Sequence, residues 1–363
     1  LSYYLLNSVP VSLIFVALAV GAWLLVDDKR DSRFTPRQFL LLMLLIYCGV
    51  TTTQADFPLE AAEKWSWVWK ALAFAIFLPL TLRTRLRFES LTLFMVLSAA
   101  SIIIVGGIKT LASGGGGYGS LNLMVTNNTG LYESSTIAMV AIAIIPLILF
   151  LRRQGTIFPP DWRVNLFAFA LIFACLLIPV GTEARTGLIC IAVLGVLALR
   201  ATKRRMLYLG LIAAVALIAI PLLPSSFTNR MDTIKGYKGD QSASTRIAVW
   251  QWTWEYAKEH PMGGGFDAYR QNELRVELTK TDESGTNQSV DTTIATDKAR
   301  AYHSSYFEML GEQGFPGLTL WLLIHVTGLF RMELLYRRCR NREAKGEQWI
   351  SGLAGALQQA VGE

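Results

Sequence analysis

Residues 180–190 read "VGTEARTGLIC", an arginine set between two apolar runs. The run before it, "NLFAFALIFACLLIP" (165–179), is apolar enough to enter a membrane. So is the run after it, "GLICIAVLGVLAL" (187–199). Only a few residues separate them, and Glu183 and Arg185 sit in that gap. This pattern predicts two membrane helices joined by a short turn. A guanidinium at the edge of a bilayer is costly unless something is gained by it, so the first functional question is what Arg185 holds.

The same apolar pattern recurs along the chain. Hydrophobic residues make up 52% of the sequence and charged residues 17%, against about a quarter charged in soluble domains. Mean hydropathy is +0.38. Apolar stretches near bilayer-spanning length predict an all-α polytopic membrane protein with about nine spans: 9–26, 39–55, 65–82, 91–108, 135–151, 165–180, 187–200, 206–223 and 312–330. In domain terms, 1–223 holds eight of these helices, 224–303 is a large loop, and 304–363 holds the last helix and a basic segment.

Basic residues alternate between the loops. The segments 27–38, 83–90, 152–163, 200–205 and the stretch after 330 each carry at least three Lys or Arg. The loops between them carry one each: Lys64, Lys109 and Arg185. Cytoplasmic loops hold the Lys/Arg excess, so Arg185 is expected on the outer side. The net charge of +7 then belongs to topogenic loops, and no nucleic-acid surface is expected. This orientation puts Leu1 outside, so a further span is expected upstream. The tail "WISGLAGALQQAVGE" reads as the approach to another. Cys48, Cys175 and Cys190 lie in apolar runs and Cys339 in a basic loop, at no metal-ligand or redox spacing, so no disulfide is expected.

Two outer segments are long. The first, 109–134, contains "SGGGGYGS", but no strand precedes these glycines and no GK[ST] follows, which excludes a phosphate-binding loop. The second, 224–303, has ten Lys/Arg and eleven Asp/Glu. It is nearly neutral and must work through a few placed charges. Within it, "SASTRIAVWQWTWEYAKEHPMGGG" (242–265) predicts a helix capped by Ser242 or Ser244 and stopped at His260-Pro261 and the glycines. Ile247, Trp250, Trp254 and Ala257 form an apolar stripe, and the clustered tryptophans suit a membrane interface. Arg246 is expected in the first turn. The helix dipole disfavours a cation there, and a bound anion would reconcile the two. His303 is expected to begin the helix that leads into the last span. His260 reads as a helix stop, and His325 lies too deep in a span for this face.

Three features coincide: the outward "EARTG" (183–187), the "STR…W…HP…G.G" pattern around Arg246, and "HSSYFEMLGEQGFPG" (303–317) entering the next span. Together they resemble the O-antigen ligase and polymerase superfamily of bacterial envelope glycosyltransferases, over roughly 130–330. "NLMVTNNTGLYESS" and "GTIFPPDW" resemble the O-glycosylation ligase branch. The resemblance implies a GT-C-like fold of about twelve spans in the bacterial inner membrane, with the active site on the periplasmic face. It implies a glycan donor carried on undecaprenyl diphosphate; with no paired-Asp signature near these residues and only three histidines, no metal or cofactor is expected. The acceptor is a hydroxyl of lipid A core for a ligase, a glycan chain for a polymerase, or a protein hydroxyl for the third branch. The essential arginines of the family match Arg185 and Arg246, and its essential histidine matches His303. Arg270, Arg300 and Tyr302 are candidate substrate-binding neighbours, Tyr302 as a sugar-stacking ring. Competing readings stay open: Arg185 as an ion pair with Glu183, Arg246 as a solvated helix residue, and the whole chain as a transporter of an anionic lipid-linked substrate.

Overall fold

The computed structural model describes residues 11–30, 33–113, 134–200, 206–207, 210, 241–281, 290–340 and 346–361. It is mostly helical. The helices are α1 (Val11–Leu25), α2 (Pro36–Thr53), α3 (Pro58–Thr81), α4 (Arg85–Ser113), α5 (Ser134–Ala143), α6 (Ile145–Gln154), α7 (Trp162–Gly181), α8 (Arg185–Arg200), α9 (Gln241–Glu259), α10 (Ser305–Arg340) and α11 (Gln348–Val361). Helices occupy eight of the nine predicted spans. The ninth, 206–223, lies almost wholly outside the described residues, as does the glycine-rich 114–133 segment. Four stretches are long and apolar enough by themselves to cross a membrane: Arg85–Ala112, Ser134–Gln154, Trp162–Gly181 and Ser305–Arg340.

Three expectations need correction. Lys64 and Lys109 lie inside α3 and α4, not in loops. Cys339 lies inside α10 and is buried. The chain is also not purely α. Strands β1 (Glu273–Thr281) and β2 (Val290–Lys298) pair antiparallel, with Glu273 opposite Lys298 and Thr281 opposite Val290. The signal was present in the β-branched residues of "VDTTIATDK", which favour a pleated surface. In β1, "ELRVELTKT", Leu274, Val276 and Leu278 alternate with polar residues, the period of a half-buried strand.

The chain divides into two compact units. The first comprises residues 1–83 and 238–327, the second 84–237 and 328–363, so α10 begins in one and ends in the other. In the second unit, α4, α5, α6, α7 and α8 share one apolar core. Val96, Ala100 and Ile103 meet Ile137, Ala141, Leu171, Cys175 and Ile178, all at most 4% exposed. The spacing of three and four residues puts each set on one helix stripe. Gly107 lets α4 approach α7, since a Cβ there would lie 3.0 Å from Ala174 Cβ. Small residues at such contacts are how membrane helices pack closely. Asp161 caps α7 by accepting the Arg163 backbone N–H at 2.7 Å.

In the first unit, α2 starts with a capping box. Thr35 Oγ1 accepts the Gln38 N–H at 3.3 Å, and Gln38 Oε1 accepts the Thr35 N–H at 2.8 Å. The Gln38 side chain is also buried and donates to the Ile76 carbonyl at 2.8 Å. That carbonyl lies three residues before Pro79, which interrupts the α3 ladder. One polar side chain thus serves a helix start and a cross-helix contact.

Candidate functional site

The "EARTG" turn lies in the second unit. Its tightness comes from the end of α7: Thr182, Glu183 and Ala184 N–H donate back to Ile178, Val180 and Pro179 carbonyls at 2.9–3.1 Å. Glu183 closes the turn at φ 51 and is 8% exposed. Arg185 follows as the first residue of α8 and is half-buried. The flanking glycines are required sterically. A side chain at Gly181 would overlap the Thr110 hydroxyl, and one at Gly187 would sit 2.6 Å from the Pro179 ring.

Arg246 and His303 lie in the first unit. Helix α9 starts at Gln241, so Ser242 and Ser244 fall inside it and do not cap it, and Arg246 falls in the second turn. The dipole acts mainly over the first turn, so it does not by itself explain an anion at Arg246. The buried stripe also differs from the predicted one. Val249, Thr253, Tyr256 and Ala257 are buried, whereas Ile247 and Trp254 are exposed. The tryptophans are satisfied locally: Trp250 stacks on Phe307 at 5.1 Å, Trp252 on Tyr256 at 4.8 Å, and Trp254 meets the Phe315 edge at 5.9 Å. Arg246 is half-buried and makes no ion pair or hydrogen bond among the described residues.

Trp250 links the two candidates. It lies one turn after Arg246 on the same helix face, and its indole Nε1 donates to the Tyr302 carbonyl at 2.8 Å. His303 is the next residue. It precedes α10 by two residues and does not begin it; it is exposed and has φ 49. A left-handed non-glycine residue is sparsely populated and is held by its surroundings. Here Asn272, fully buried, clamps the approach: its Oδ1 accepts the Arg300 N–H at 2.9 Å and its Nδ2 donates to the Arg300 carbonyl at 2.7 Å.

The remaining candidates play other parts. Tyr302 is 2% exposed, with its ring against the Tyr269 edge at 5.8 Å, so it has no open face for a sugar. Burial, then nearby carboxylates led by Glu312, hold its hydroxyl above the ordinary tyrosine range. Arg270 lies 3.9 Å from Glu60 and 3.7 Å from Asp267. Arg300 is exposed. His260 follows the end of α9 and stacks on Tyr256 at 4.3 Å; His325 lies tilted against Trp321 at 4.1 Å inside α10. Among the described residues no group of three His, Cys, Asp or Glu could hold a metal ion.

Beneath this region lies a polar cluster that sequence reading missed. Lys64 Nζ donates to Glu308 at 2.7 Å and to Glu312 at 2.8 and 3.0 Å. Glu312 is 2% exposed and also accepts the Asp267 N–H at 2.9 Å. Gln313 accepts from the Thr51 hydroxyl at 2.6 Å. Tyr256 donates to Asp56, and burial followed by that carboxylate raises its pKa. The i, i+4 spacing of Glu308 and Glu312, which puts both carboxylates on one helix face, was the available signal.

The glycines of both motifs interlock here. Gly264 and Gly265 N–H donate to Gly311 and Glu312 carbonyls at 3.1 and 2.9 Å, and Phe315 N–H donates to Pro261 at 3.0 Å. Gly263 has φ 84 and Gly314 φ 62. A Cβ on Gly263 would lie 2.5 Å from both the Glu312 carbonyl and the Gly314 nitrogen. Gly263→Ala is therefore expected to cost more than ~1 kcal/mol, read as a lower thermal midpoint of the purified protein. Gly328→Ala, in a helix interior where a Cβ meets nothing within 4 Å, serves as the control and should hold or raise the midpoint, because alanine is the better helix former.

The segment that carries Arg185, Arg246 and His303 has known relatives. Residues 167–322 match the family described as O-antigen ligase. Over this segment the chain is similar to the O-antigen ligase superfamily. Residues 1–156 match a family of unknown function, DUF5935, and no curated protein matches the chain. The O-antigen ligase match supports glycosyl transfer of the ligase or polymerase type in a multi-pass membrane protein.

Proposed function

We propose that the protein is an O-antigen ligase that transfers a glycan from undecaprenyl diphosphate to a hydroxyl of lipid A core at the periplasmic face of the inner membrane. The observation that carries this reading is the Trp250–Tyr302 hydrogen bond, which ties the helix bearing Arg246, unpaired among the described residues, to the segment bearing His303. The donor is already activated, and its diphosphate leaving group needs charge neutralisation more than a proton. Arginine suits this task, because its planar fork binds phosphate in a bidentate way and stays charged. In the proposed step the acceptor oxygen attacks the anomeric carbon and gives its proton to His303. The bond from that carbon to the diphosphate breaks, and the developing charge falls on Arg185 and Arg246. A single displacement inverts the anomeric configuration and needs no metal.

The test mixes full-length protein with undecaprenyl-diphosphate-linked oligosaccharide and lipid A core, with EDTA present, beside an Arg185→Ala control. Mass spectrometry is expected to show glycan on the core with inverted linkage, lost in the control. A lengthened donor glycan would make the protein a polymerase, and glycan on added protein would make it a protein ligase. Activity abolished by EDTA would overturn the metal-free mechanism. Donor binding with no product on any acceptor would favour a transporter.

A further inference from the structure

The second unit contains a cavity of about 310 Å³ between α4, α6 and α7. Leu93, Val96 and Leu97 line it from α4, and Val164, Phe167 and Leu171 from α7. Each set follows a helix stripe, and all three helices belong to stretches able to cross a membrane. Two guanidiniums, Arg152 and Arg163, line the same cavity. Arg152 Nε donates to Asn165 Oδ1 at 2.7 Å, and its terminal amino groups make no bond among the described residues. Arg163 lies 5.8 Å from the Trp162 ring and has no ion pair among the described residues.

The carboxylates nearby are already engaged. Asp161 Oδ1 accepts the Arg163 backbone N–H, and Glu89 accepts from Arg85 Nε at 2.7 Å and from Thr156 N–H at 2.6 Å. Neither Arg152 nor Arg163 makes an ion pair among the described residues. Arg163 to Leu171 spans roughly 12 Å along α7 at the helical rise, close to the depth of about half a hydrocarbon core. A second cavity of about 300 Å³ continues past Phe167 and Leu171 towards Leu111 and Leu177 and carries no charge.

An apolar slot one leaflet deep with an arginine pair at one end matches an anionic amphiphile. We propose that this cavity binds an anionic phospholipid, with its phosphate between Arg152 and Arg163 and one acyl chain along Phe167 and Leu171. The Lys/Arg bias of the loops makes this the cytoplasmic leaflet. The site is independent of the proposed glycosyl transfer and of Arg185, Arg246 and His303.

The test reconstitutes full-length protein in nanodiscs of phosphatidylcholine with added phosphatidylglycerol and reads retained lipid by native mass spectrometry. Phosphatidylglycerol should be retained in preference to phosphatidylcholine. Arg163→Gln, which breaks no side-chain hydrogen bond, should lower that retention roughly fivefold, and Arg163→Lys much less. Soluble glycerol phosphate should not compete, because it lacks the chain. Equal retention of both lipids would overturn the proposal, as would a preference untouched by Arg163→Gln or full competition by glycerol phosphate. Phosphatidylcholine-bound variant of normal thermal midpoint would confirm that the loss is local to the headgroup.

Discussion

Arg246→Ala and His303→Ala are each expected to lower glycan transfer by roughly a hundred- to a thousandfold, the usual loss for one contact that strengthens in the transition state. The thermal midpoint should hardly move. Arg246 makes no ion pair or hydrogen bond among the described residues, and His303 is exposed, so neither variant opens a cavity. The two should differ in kind. Arg246→Lys keeps the charge and loses the bidentate fork, so it should recover part of the rate. His303→Gln keeps a polar side chain but cannot take a proton at neutral pH, so it should recover none. The double variant is expected to lose little more than the worse single one, because residues acting on one step are not additive. Equal activity of Arg246→Ala and the unaltered protein in the same reconstituted assay would remove Arg246 from the site.

Much of the fold could be read from the sequence, because apolar length is a direct physical requirement of a bilayer. Eight predicted spans coincide with helices, and the "EARTG" turn falls between α7 and α8 as expected. What escaped reading depends on partners far away in the chain. The stripe of α9 reads from sequence as Ile247, Trp250, Trp254 and Ala257, yet of these Ala257 alone is buried, and the polar Thr253 is buried as well. Its hydroxyl is satisfied by the Val249 carbonyl of its own helix at 2.7 Å, which removes the cost of burying it. Tyr302 reads from sequence as a sugar-stacking ring and is instead a buried anchor, because Trp250 and Tyr269 close over it. The glycines of "PMGGG" read from sequence as a helix stop, and with those of "GEQG" they do more. They are the one residue type that lets two backbones, some fifty positions apart in sequence, exchange hydrogen bonds.

Lys64 illustrates the same lesson at higher energy. By sequence it is a single charge between two spans, with nothing to distinguish it from a topogenic residue. In the fold its side chain is 17% exposed and sits among Glu308, Glu312 and, at 3.9 Å, Asp267. Lys64→Met removes the cation and strands Glu312, which is 2% exposed. Breaking one side of a buried ion pair typically costs about 3–5 kcal/mol, so this variant should show the largest stability loss of any single change discussed, read as a lower thermal midpoint and reduced yield. The partner test separates charge from packing. Glu312→Gln keeps an oxygen for the Asp267 N–H and an amide of nearly the same volume, so it should cost less than Lys64→Met. Combining the two should restore part of the loss, because the stranded carboxylate is gone. The cluster holds the Asp267 loop and the start of α10, and His303 lies just ahead of that helix, so Lys64→Met should also depress transfer, while the double variant recovers both together. Recovery of stability without any recovery of transfer would separate Lys64 from the positioning of His303.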